Sequence, residues 1–97
     1  MEPLECQTMI DVRNEIDNLD KNIIHLIGKR FEYVKAAAKF KKSEEGVRSP
    51  ERFKTMLEQR RIWAEDSGLN PDVIEKMYSD LVNYFIAEEL EHWKIKS

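Results

Sequence analysis

The sequence predicts an all-α protein, on three observations. No stretch alternates apolar and polar residues with the period of a strand. Apolar residues instead recur at three- and four-residue intervals along three segments. Start and stop signals separate those segments: Gly46 and Gly68 fall between them, and Ser49-Pro50-Glu51 and Asn70-Pro71-Asp72 open the second and third. The expected architecture is three helices of unequal length in a single domain over residues 1–97.

Taken in order, residues 1–7 read as a lead-in. Thr8 with Asp11 three residues on resembles a capping box with Asp in place of Glu, and predicts a first helix from about 8 to 43. Gly28 lies inside it, where Gly costs about 1 kcal/mol relative to Ala; a close helix approach is the expected reason. The stretch KKSEEGVRSP breaks the periodicity and predicts a loop over 44–49. Ser49 is the expected N-cap of a second helix, about 50–66, carrying Phe53, Met56, Leu57 and Trp63, with Gly68 as its stop. The third helix, about 71–95, carries Ile74, Met77, Tyr78, Leu81, Val82, Phe85 and Trp93.

The first helix decides the architecture. At about 1.5 Å per residue it extends roughly 50 Å, whereas a 100-residue globule has a radius of gyration of about 13 Å. Its apolar stripe, Ile16, Ile23, Ile27, Val34 and Ala37, is too long for the other two helices to cover. The expectation is an intertwined homodimer with the long helices packed together.

Counted in sevens, the same stripe runs 13, 20, 27, 34, 41 beside 16, 23, 30, 37, and it includes Arg13, Arg30 and Lys41. A core-facing cation is costly unless paired and hydrogen-bonded. On the third helix Val82, Phe85 and Glu89 follow i, i+3, i+7, so Glu89 shares the apolar face while Glu88 and Glu91 leave it. Two readings stay open. In one, Glu89 and one cation form a buried structural ion pair and the other cations reach solvent at helix ends; in the other, the cations, in excess of the seam acids although Asp20 offsets one of them, bind a small polyanion and Glu89 hydrogen-bonds it.

Other chemistry is poorly supplied. The net charge of −3 excludes the basic footprint of a nucleic-acid binder. Cys6 is the only cysteine, so no internal disulfide forms. His25 and His92 lack partners at zinc spacing. No glycine-rich phosphate loop or nucleophile–base pair stands out. Trp63, Tyr84 and Trp93 read as core or interface, and Arg60 and Arg61 as a solvated charged face. With no membrane-length apolar run and an acidic N-terminus, a soluble cytoplasmic protein is expected.

Asp11-Val12-Arg13, Glu15-Ile16-Asp17, Gly28-Lys29-Arg30, Tyr33-Val34-Lys35-Ala36-Ala37 and Phe40-Lys41 fall in one order along the first helix. Pro50-Glu51-Arg52, Trp63-Ala64-Glu65, Ile86-Ala87-Glu88 and Trp93 follow. Together they resemble the all-α (AroQ-class) chorismate mutases. Within that class the Tyr33–Lys41 run is most similar to the isochorismate-pyruvate lyases of pyochelin-type siderophore pathways. The resemblance covers nearly the whole chain.

It implies an intertwined dimer with two equivalent sites and no metal or organic cofactor. The implied reaction is pericyclic, isochorismate giving salicylate and pyruvate, with weak chorismate mutase activity. By the same resemblance Arg30 holds the enolpyruvyl carboxylate, and Arg13 reaches a second carboxylate from the other protomer. Lys41 meets the ether oxygen and Glu51 the ring hydroxyl. The lyases carry Gln at the position of Glu89, and some mutases carry Glu. Only the protonated acid can donate to the ether oxygen as that amide does. A dedicated chorismate mutase is the alternative enzyme, and a non-catalytic helical dimer adaptor the alternative of another class.

Overall fold

A computed structural model describes residues 1–96, with side chains described as far as Lys94 at the C-terminal end. Among the described residues every regular element is helical: a single 3-10 turn at Pro3–Glu5, then α1 (Met9–Ala38), α2 (Glu44–Arg48), α3 (Pro50–Asp66) and α4 (Pro71–Lys96). The chain divides into two compact units, Met1–Tyr33 and Val34–Ser97, with the boundary inside α1.

In the first unit, the expected capping box opens α1. Thr8 Oγ1 accepts from Asp11 N at 3.1 Å, and Asp11 Oδ2 accepts from the Thr8 and Gln7 amides at 3.3 and 3.0 Å. These bonds satisfy amides that a helix start leaves without partners. The chain's terminal ammonium lies 3.6 Å from Glu15. No residue from 1 to 33 is fully buried. Ile16 and Ile23 are half exposed, and Leu19, Ile24 and Leu26 more so. Gly28 has no neighbour among the described residues within 4 Å of an added Cβ, so the close approach expected there is not seen among them.

The second unit holds the core: Ala38, Val47, Met56, Ala64, Val82, Phe85 and Leu90. Here α1 stops at Ala38, five residues short of the expected end. Lys39, Phe40 and Lys41 donate to the carbonyls three residues back, which tightens the last turn. Ser43 is extended, and its Oγ accepts from Gly46 N at 3.0 Å to cap α2. The expected loop 44–49 is therefore mostly a short helix, fastened by the buried Val47.

Ser49 occupies the junction of α2 and α3 with a left-handed φ of 38°. It holds the N-cap position of α3 without capping it; its hydroxyl donates back to Gly46 O. The end of α3 follows the sequence closely. Leu69 N donates to Ala64 O at 2.8 Å and Gly68 N to Glu65 O at 3.0 Å, a Schellman motif with Gly68 at φ 75°. Asn70 Oδ1 caps α4 through the amides of Asp72 and Val73.

Arg60 departs from the solvated face expected of it, whereas Arg61 keeps a solvent-accessible charged one. The Arg60 guanidinium lies over the Trp63 ring at 4.7 Å and the Tyr78 ring at 5.7 Å. Arg61 reaches Asp72 at 2.8 Å and Glu75 at 3.4 Å, joining α3 to α4. No described helix is long and apolar enough to cross a membrane.

Candidate active site

Glu89 is the one buried charged residue among those described, 6% exposed. Its place follows from helical spacing: Val82, Phe85 and Glu89 share a face of α4, and Leu90 beside it is buried too. The Oε2 atom is shut from solvent and accepts no hydrogen bond from the protein. Burial pushes the Glu89 carboxyl above its ordinary pKa, and the Lys41 charge pulls it partly back. Protonated, this carboxyl is a hydrogen-bond donor.

Lys41 is half-buried just past the end of α1. Its Nζ donates to Gly46 O at 3.2 Å, and its carbonyl accepts from Trp93 Nε1 at 3.0 Å. Gly46 O thus accepts from both Lys41 and Ser49. The structure therefore brings Lys41 and Glu89 into one electrostatic neighbourhood, and adds two groups that the sequence reading missed. The Gly46 carbonyl leaves no side-chain trace in a sequence. Trp93 was read only as core or interface; its place four residues after Glu89, one helical turn along the same face, was the available signal.

Glu51 comes from a different element, α3. It is exposed in the first turn of α3 and borders an open hollow of about 490 Å³ with Ser43, Glu45, Gly46, Ser49, Pro50 and Arg52. The two arginines belong to the first unit, on α1. Arg13 is exposed and Arg30 half-buried. For Arg13 the core-facing position expected from the heptad count is not a buried one within the chain. Asp20 is likewise exposed.

A buried carboxyl, when protonated, and a loop lysine are chemically able to offer a donor and a cation to a polar ligand atom, with no nucleophile required. Residues 12–90 match the chorismate mutase type II family. The chain belongs to that family. It is 38% identical over 92 residues to an isochorismate pyruvate lyase of Pseudomonas aeruginosa, covering 95% of this chain and 91% of that protein. It is also 38% identical over 84 residues to the T-protein of Haemophilus influenzae, covering 84% of this chain and 21% of that longer protein. A bifunctional chorismate mutase/prephenate dehydratase of Buchnera aphidicola is 32% identical over 75 residues, 76% of this chain and 20% of its own length. This chorismate mutase family member thus matches the lyase nearly end to end, and the other two over about a fifth of their lengths.

Proposed function

We propose that this chain is a cytoplasmic isochorismate pyruvate lyase that also rearranges chorismate weakly. The observation that carries the proposal is the near full-length similarity to a protein of that name. The neighbourhood of Lys41 and the buried Glu89 supports it. In this reading isochorismate breaks its ring–oxygen bond while a ring hydrogen moves to the enolpyruvyl methylene, leaving salicylate and pyruvate. All bonding changes occur within the substrate, so the chain's work is to hold a reactive conformer and to stabilise charge on the departing oxygen.

Arg30 holds the carboxylate of the enolpyruvyl arm. The ammonium of Lys41 leaves Gly46 O for the ether oxygen, and protonated Glu89 donates to the same oxygen. Glu51 meets the ring hydroxyl. Arg13 serves the site of a partner protomer. The exposed Ile16, Leu19, Ile23 and Leu26, at sevenfold spacing on α1, support a homodimer built on that helix.

A dedicated chorismate mutase is the second reading, favoured by Glu89 standing where the resembled lyases carry Gln and by the relative named for mutase chemistry. Substrate turnover separates the two: salicylate from isochorismate supports the lyase, and prephenate from chorismate alone supports the mutase. A thermal shift separates both from an adaptor. A chorismate-like dicarboxylate at 100 times its Kd adds about 2.7 kcal/mol to the stability of an enzyme that binds it, and nothing to a protein that does not.

A further inference from the structure

We propose that Trp93 is a positioning residue for the reaction: its indole N–H, donated to the Lys41 carbonyl, fixes the backbone from which the Lys41 ammonium reaches the substrate. This rests on the activity reading above, in which Lys41 touches the substrate. The bond is 3.0 Å long and joins residues 52 apart in the chain. Lys41 follows the end of α1, where no continuing helix takes its carbonyl. Its own amide is held by Ala38 O at 3.2 Å. The peptide groups on both sides of Lys41 are therefore tied, one to the end of α1 and the other to α4. Only the side chain is left to exchange acceptors, from Gly46 O at 3.2 Å to a ligand oxygen.

The tie comes from the helix that carries the buried carboxyl. Glu89 and Trp93 are one turn apart on α4, so a single rigid element presents Glu89 and also sets the origin of the Lys41 side chain. A lysine has a flexible four-carbon stem, and reactivity is sensitive to displacements of about 1 Å. Fixing the Cα end of that stem limits the volume its ammonium searches. The indole is donor-only, so Trp93→Phe removes the tie and keeps most of the ring's bulk.

The test is a double-mutant cycle of wild type, Trp93→Phe, Lys41→Ala and the double variant, with kcat and KM for each and thermal unfolding alongside. Trp93→Phe should lower kcat roughly ten- to a hundredfold, move KM far less, and cost nothing further once Lys41 is Ala. Equal losses in both backgrounds overturn the proposal, since a merely structural tryptophan is felt whether or not the lysine is present. A fully active Trp93→Phe beside an impaired Lys41→Ala also overturns it and leaves the activity reading standing. A fully active Lys41→Ala, or a wild type inert towards both isochorismate and chorismate, overturns the activity reading and the positioning role with it. Hydrogen exchange at the indole N–H groups of the wild type needs no variant to fold. Trp93 should be protected relative to the exposed Trp63, and equally fast exchange at both overturns the tie.

Discussion

Glu89 meets two opposed influences. Its apolar surroundings favour the neutral acid and the Lys41 charge favours the carboxylate, with burial the larger effect. Two outcomes follow. In the proposed function the acid is the active form, donating to the ether oxygen, so turnover should rise as pH falls through the Glu89 pKa. Glu89→Gln should flatten the profile above the ordinary carboxylate range, since an amide donates throughout. Rate profiles of the two proteins check this, and parallel profiles would contradict it. Stability carries the same sign. A carboxyl whose folded-state pKa is raised contributes stability present below its unfolded pKa and lost as pH rises through the folded one. Wild type should therefore lose stability relative to Glu89→Gln across that rise, as denaturant titrations at several pH values would show. For Lys41→Ala the account predicts a loss of roughly a hundred- to a thousandfold in turnover, the scale of deleting one stabilising donor. The loss of a single half-buried hydrogen bond should cost only about 1 kcal/mol in unfolding.

At the scale of elements, the legible parts were those written in local chemistry. Thr8 with Asp11, Pro50, Gly68 and Asn70 each act on groups within a few residues, and each stands where the sequence put it. The end of α1 was illegible for the opposite reason. Ser43 starts a new turn whose Val47 is buried against other helices, and the Lys41 carbonyl is claimed by Trp93 from α4. Arg60 was misread likewise, because Tyr78 comes from the neighbouring helix. The site divides in the same way. Glu89 was legible from i, i+3, i+7 spacing, whereas the Gly46 acceptor and the Trp93 tie depend on tertiary approach. Gly68 offers the test at this scale. At φ 75° a side chain is strained, so Gly68→Ala should destabilise by about 1 kcal/mol. For a domain this size that lowers Tm by about 4–8 °C, readable by calorimetry; an unchanged Tm would count against the strain.

For the whole molecule, α1 poses the question of what covers it. Leu19 is 60% exposed and Leu26 61%, seven residues apart on one line of the helix. A substitution at an exposed position of a monomer usually changes stability by no more than about 0.5 kcal/mol. If α1 instead packs on its copy, Leu19→Glu places a charge in an apolar seam, and sedimentation should show the dimer lost at concentrations where wild type is dimeric. Under the proposed function, in which Arg13 serves a partner's site, turnover should fall with the dimer. The central claim is that Lys41 and Glu89 serve lyase chemistry. The most direct measurement is turnover of isochorismate and chorismate side by side, following salicylate and prephenate. The account predicts salicylate as the faster product by a wide margin. Prephenate without salicylate, or neither product from folded protein, would contradict it.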